Sequence, residues 1–311
     1  MIEHLCDEHG IFLRRDAVRA GIDDLALQRR LRTGEIVRIR HGVYCLGPRW
    51  REATSAERHL ALSRGVMRLY PNDVCLSHTS AALLQGAPAW GIDLDAVHIT
   101  DLDQTGQRRR AKVHHHRGSC RVGDLTRVDG HWLTAPTRTV LDVAGLVPRD
   151  VAVVVADDFL RRSLTTFPEL QAGLAQRTDW PEHLRASTSL GLARVGADSV
   201  GETRLRLLLH DLGVTSIVLQ HPIRDDSGDP FAFVDLYLPE LGVLVEFDGR
   251  IKYTNHRRPG ESIGECVLRE KRREDRIREV SGLPVLRVTW QDLEDPIGLL
   301  RRIHQLARRA A

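Results

Sequence analysis

Three acids stand where acids are expensive. Asp235, Glu246 and Asp248 fall within Phe233-Val-Asp-Leu-Tyr-Leu-Pro-Glu-Leu-Gly-Val-Leu-Val-Glu-Phe-Asp-Gly249, among strand-forming apolar residues. A carboxylate in such a setting is costly unless it is paired or bound to a metal. Glu246 and Asp248 are two apart on one strand, so their side chains leave the same face. A hairpin through Pro239 and Gly242 brings Asp235 close to opposite Glu246, and two or three carboxylates converge. Such a set suits Mg²⁺, with Mn²⁺ as a substitute, because a hard cation takes oxygen ligands and keeps several waters. The chemistry it points to is phosphodiester hydrolysis. There a metal shields the phosphate and lowers the pKa of an attacking water, and a nearby cation offsets charge in the transition state.

That cation has few candidates if it is an ammonium. Of 45 Lys+Arg residues only Lys112, Lys252 and Lys271 are lysines. An ammonium is a compact point charge, whereas a guanidinium is bulky and never gives up its proton. Lys252 follows Glu246 by a few residues, Lys271 falls on the next helix, and Lys112 lies far away beside His114-His115-His116.

The elements that must position these groups read as an α/β unit. Ser199 caps a helix with Glu202 at capping-box spacing, and Leu205, Leu208, Leu209 and Leu212 form its apolar stripe before Gly213. Strands are expected over 217–221, 231–238 and 243–247, then a loop 249–260, a charged helix about 262–281, a strand 285–289 and a helix 297–309. Two alternatives stay open here. Glu202 can be only the capping partner of Ser199, and Asp248-Gly249 is also a turn dipeptide. The acids and arginines of 270–279 have the spacing of a solvated, salt-bridged helix face.

Positive charge concentrates at the other end of the chain, where residues 14–50 hold nine Arg against four acids. Short helices are expected between Ile2 and Gly10, over 14–20 and over 25–32, the last capped by Asp23 or Asp24. Two strands follow around His41-Gly42, with Ile36, Arg38 and Arg40 in alternation. Three helices and a two-stranded wing make a winged helix. In that arrangement Gln28, Arg29 and Arg32 address the major groove of DNA and Arg38 and Arg40 reach phosphate; the other reading is solvated arginines in an Arg-rich chain. Residues 51–165 read as mixed α/β, with helices 54–70, 77–84, 137–144 and 149–161 and strands 96–100 and 112–116. Arg108 to Arg110 fall in a polar loop. His114 to His116 read as a surface or sheet-edge run in which the middle ring faces away from the other two.

Composition sets the class. A hydrophobic fraction of 42% with 28% charged residues describes a globular chain with real cores. No apolar run is long enough to span a bilayer, and the acidic N-terminus is unlike a signal peptide. Five scattered cysteines without a C-x-x-C pair point to the reducing cytoplasm and away from a zinc cluster.

Two resemblances sharpen this. Asp235, Glu246-Phe-Asp248-Gly249, Lys252-Tyr253, Glu270-Lys271-Arg272-Arg273 and Leu286-Arg287-Val288-Thr289-Trp290 resemble the very-short-patch-repair-like (Vsr-like) branch of the PD-(D/E)XK nuclease superfamily over residues 199–311. The resemblance implies a restriction-endonuclease-like domain in which Asp235 and Glu246 bind metal and Glu202 is the helix acid. Asp248 occupies the lysine position of Glu-x-Lys, which makes it a third ligand or a water-positioning group. Lys252 then becomes the substitute cation, with Lys271 as second choice. Residues 14–44, with Leu76-Ser-His-Thr-Ser-Ala-Ala82 and Pro136-Thr-Arg-Thr-Val-Leu-Asp142, resemble AbiEi-type antitoxins, transcriptional autorepressors of type IV toxin-antitoxin systems. The expected architecture is α/β (α+β overall): a winged helix over 1–50, a mixed α/β middle domain over 51–198 and a nuclease-like domain over 199–311. Two functions follow. One is a Mg²⁺-dependent nuclease acting on double-stranded DNA; the other is a DNA-binding regulator or antitoxin with a cognate toxin, in which the nuclease fold is inactive.

Overall fold

A computed structural model describes residues 2–70, 74–102, 107–249 and 262–310. The protein is mixed α/β and divides into two compact units, Met1–Val155 with Ser163–Leu190, and Ala156–Arg162 with Gly191–Ala311.

The first unit begins with a 3-10 turn at Glu3–Leu5, where a helix up to Gly10 is expected, and continues into strand β1 (Ile11–Leu13). Asp7 explains the difference. Its carboxylate accepts from the backbone of His9 at 3.0 Å and of Ile11 at 2.9 Å, and Gly10 turns the chain at φ +79°. These bonds hold the segment in a turn that a helix cannot contain. Helices α1 (Arg14–Arg19) and α2 (Asp24–Thr33) follow, then β2 (Ile36–Arg40) and β3 (Val43–Leu46). Asp23 caps α2 by accepting from Ala26 N at 2.8 Å, and Gly34 ends it in the left-handed region. The sheet order is β1-β3-β2, all antiparallel. Ala17 and Leu27 of the two helices bury against Phe12, Ile36 and Tyr44. The result is winged-helix-like, with β1 added to the wing.

Helices α3 (Gly47–Glu52) and α4 (Ser55–Leu69) lead into a six-stranded sheet. Its elements are β4 (Val74–Leu76), α5 (His78–Leu84), β5 (Val97–Asp101), β6 (Arg108–Arg110), β7 (Val113–Arg117), β8 (Leu125–Val128), β9 (His131–Thr134) and α6 (Pro136–Leu146). The strand order is β6-β7-β5-β4-β9-β8, with β5/β7 and β4/β9 parallel. Two expectations change here. Arg108 to Arg110 form an edge strand paired with β7, and β7 is therefore an interior strand. The histidine run is accordingly not on an edge: His115 and His116 are buried. Helices α7 (Arg149–Arg161), α8 (Phe167–Ala175) and α9 (His183–Gly191) follow.

The second unit is built from α10 (Val200–Asp211), β10 (Val218–Arg224), β11 (Pro230–Leu238), β12 (Val243–Phe247), α11 (Ile263–Ser281), β13 (Val285–Val288) and α12 (Pro296–Ala310). Its sheet runs β10-β11-β12-β13, antiparallel except for the parallel β12/β13 pair. Leu205 and Leu209 of α10 and Leu299 and Ile303 of α12 pack with Val245 and Phe247. Ile277 of α11 packs with Leu244, which points to the opposite face of β12. Gly201 permits a close approach of α10 to the sheet: a Cβ there would stand 2.0 Å from Phe247 Cε1. Asp157, in the part of α7 that belongs to this unit, anchors α10. Its carboxylate accepts from Thr203 Oγ1 and Arg206 Nη2, each at 2.8 Å, and from Arg194 N at 2.7 Å.

Candidate nucleic-acid interface and acid site

The pairs Leu238↔Val243, Tyr237↔Leu244 and Leu236↔Val245 fix the β11/β12 register, and the paired ladder ends one residue before Asp235. Asp235 uses this position to accept from Phe247 N at 2.7 Å, a carboxylate taking the place of a main-chain partner. Glu202 approaches from α10. Its Oε2 accepts from Asp198 N at 2.8 Å and from Gln220 Nε2 at 3.3 Å, and its Oε1 accepts from Ser199 Oγ at 2.8 Å. Glu202 N in turn donates to Ser199 Oγ at 3.2 Å. Glu202 is therefore a capping partner and a buried acid at once. Burial, and then the nearby charge of Asp235, push its carboxyl up to about 7, against the bonds from Asp198 and Ser199. Gln220, which sequence reasoning missed, sits at a non-glycine φ of +47° and breaks the β10/β11 pairing opposite Asp235.

Glu246 is placed differently. It is buried, and its Oε1 accepts from Arg273 Nη1 at 2.9 Å while Arg287 Nε lies 3.9 Å from Oε2. Arg273 also donates to Phe233 O at 2.8 Å, and Arg287 pairs with Glu274 at 2.8 Å. Arg273 hydrogen-bonds one oxygen of this buried acid and Arg287 adds a second positive charge nearby. Part of the charged face of α11 thus turns to the sheet. Lys271 is exposed on α11 and makes no ion pair among the described residues. Asp248 lies one residue beyond β12, half-buried, with its N–H donating to Val288 O at 2.7 Å. Lys252 lies outside the described residues. Among the described residues, Asp235, Glu246, Asp248 and Glu202 do not bring three ligand oxygens within 4.8 Å of one another.

On α2 the buried Leu27 and half-buried Leu31 face the core, which turns Gln28, Arg29 and Arg32 outward. The neighbouring charges are spent within the fold: Arg14 pairs with Asp24, and Arg30 lies 3.4 Å from Glu35. Arg29, Arg32 and, exposed on β2, Arg38 have no ion pair among the described residues. Arg40 is half-buried with its guanidinium 6.0 Å from the centre of the Tyr70 ring. The outward group is a cationic row on one helix and its wing, able to contact phosphate and base edges. No helix among the described residues is long and apolar enough to cross a membrane.

Residues 1–47 match the family model described as transcriptional regulator, AbiEi antitoxin. Two proteins of Mycobacterium tuberculosis are similar over most of the chain: Uncharacterized protein MT2308 (strain CDC 1551 / Oshkosh) and Uncharacterized protein Rv2248 (strain ATCC 25618 / H37Rv). Each is 28% identical over 289 residues, spanning 90% of this chain and 96% of the relative.

Proposed function

We propose that the protein is a DNA-binding transcriptional regulator of the AbiEi antitoxin kind, with a cognate toxin as its expected protein partner. The observation that carries this reading is the outward row of Gln28, Arg29 and Arg32, with Arg38 on the wing, in a segment that matches the antitoxin regulators. In this reading α2 enters the major groove, where Gln28 and Arg29 meet base edges and Arg32 and Arg38 meet phosphate. Each phosphate contact releases counterions, so removing one lowers the slope of log K against log salt by about 0.9. Arg32→Ala should weaken duplex binding and flatten its salt dependence by about that amount, and Arg29→Ala should weaken it as well. If both variants bind duplex DNA as the wild type does across a salt series, DNA contact by α2 is refuted.

A second reading, Mg²⁺-dependent cleavage of DNA, is favoured by the Glu202–Asp235 pair on an α-β-β-β-α-β unit. The donors are hard carboxylates of the right chemistry: Asp235, Glu202 and Asp248 would hold Mg²⁺ or Mn²⁺, which when bound shields a phosphodiester and lowers the pKa of water. Glu246 weighs against this reading, because Arg273 already occupies one of its oxygens. Incubation with plasmid and single-stranded DNA in Mg²⁺, Mn²⁺ or EDTA separates the two. Cleavage that disappears in Asp235→Ala establishes the nuclease. Absence of cleavage together with no Asp235-dependent Mn²⁺ uptake leaves this unit a scaffold.

A further inference from the structure

Four imidazoles meet on one face of the six-stranded sheet, far in sequence from either site above. The parallel β5/β7 register places His98 beside His114 and Thr100 beside His116, and residues two apart on a strand share a face. His98 Nδ1 lies 2.7 Å from His116 Nε2. The His114 and His116 ring centres are 4.3 Å apart, and His78 at the start of α5 stacks on His116 at 3.7 Å. His78 is held there in the left-handed region, φ +49°, a conformation uncommon for a non-glycine residue. His115 points to the other face and meets Tyr70 edge-on.

We propose that His98, His114 and His116 form a binding site for one divalent ion of the Zn²⁺ class. One nitrogen from each ring can be chosen so that all three lie within 4.8 Å of one another. Bonds of 2.0–2.1 Å in a tetrahedral site set nitrogens roughly 3.3 Å apart, so ring tilts of under about an ångström convert the apo cluster into a ligand set. Among the described residues no carboxylate is hydrogen-bonded to these rings, and an all-imidazole donor set selects a borderline ion over Mg²⁺ or Ca²⁺. The site also has an open side. His78, His114 and His116 line a cavity of about 240 Å³ that also holds Thr100, Arg138 and Asp142. Among the described residues, Asp142 Oδ2 and Thr100 Oγ1 are buried and find no hydrogen-bond partner. Three ligands and an open fourth position are the arrangement in which zinc keeps a water. The Arg138 charge beside it is compensated by Asp142 at 2.7 Å and Asp124 at 3.1 Å.

The test uses untagged full-length protein stripped with a chelator and titrated with Co²⁺, then Zn²⁺. One equivalent of Co²⁺ should bind, give a visible d–d band and be displaced by Zn²⁺. His114→Gln and His116→Gln should weaken binding by more than the roughly 10- to 100-fold that loss of a supporting group costs. His115→Gln, on the opposite face of the same strand, should bind as the wild type does, and circular dichroism should report native folding in all three. Absence of Co²⁺ uptake by the wild type overturns the site. So does uptake unchanged in folded His114→Gln, or uptake that is lost in Asp235→Ala, since that would belong to the other unit.

Discussion

Glu202→Gln is the perturbation that reads the acid site most directly, because its signature is a pH dependence. The folded protein holds the Glu202 proton up to about pH 7, whereas the unfolded chain releases it near 4.5. Below pH 4.5 both states carry the proton. Between those values the folded state binds more protons, so stability falls as pH rises, and above 7 the loss is complete. At 1.36 kcal/mol per pKa unit the loss is about 3 kcal/mol. Glutamine has nearly the same shape and does not titrate. Its weaker hydrogen bonds to Asp198, Ser199 and Gln220 shift stability by a constant that cancels from the pH dependence. The variant should therefore gain on the wild type by about 2 kcal/mol or more between pH 5 and pH 8. Hydrogen exchange of amides in α10 and β10 to β12, corrected for intrinsic rates, measures this unit without requiring the whole chain to unfold at once. A stability gap that stays constant from pH 5 to pH 8 would refute the claim that Glu202 titrates near neutrality beside Asp235. The same experiment with Mg²⁺ at pH 8 bears on the nuclease reading, since an ion held by this pair should stabilise the wild type and leave the variant behind.

Other perturbations test the packing around both units. Gly201→Ala should destabilise by about 1–2 kcal/mol in thermal unfolding: its Cβ meets the Phe247 ring, and overpacking of about 1–3 kcal/mol outweighs the helix-propensity gain of up to about 1. Adding Phe247→Leu should recover part of the loss, and no recovery would mean that ring contact is not the cause. Arg138→Met leaves the Asp142 carboxylate buried without its cation and should cost about 3–5 kcal/mol, with most of it restored by pairing the change with Asp142→Leu. An additive double mutant in urea unfolding would show that the two do not interact.

The second unit was readable because its signals are local. The apolar alternation of β11, the stripe on α10 and the capping residue Ser199 each sit within a few positions of what they determine, and the observed elements follow the expected ones closely. The first unit contains elements too short for periodicity to act. Val74–Leu76 and Arg108–Arg110 are three-residue strands, and the second carries nothing but arginine. Arg108 to Arg110 are a strand only because β7 offers them a ladder, a tertiary cause with no local trace. The turn at Asp7 is a similar case, in which one side chain captured two amides that a helix would have used.

The acids were legible for the same reason, and their partners were not. A carboxylate in an apolar run announces its cost at its own position, but whether a metal or an arginine compensates it depends on residues far along the chain. Arg273 stands 27 positions from Glu246, Asp157 stands 46 from Thr203 and His98 stands 18 from His116. Sheet order decides these meetings. Because β12 and β13 are parallel, the chain must cross over between them, and α11 is laid along the sheet with Arg273 above Glu246 while Arg287 arrives beside it on β13. From sequence, Glu246 and Asp235 look alike and Glu202 looks like a cap. In the folded unit Glu246 has two arginines near it, whereas Glu202 has no cation among the described residues and feels the charge of Asp235. Burial and the Asp235 charge both disfavour an ionised Glu202, so Glu202 is the acid of this unit that a nearby cation would stabilise most.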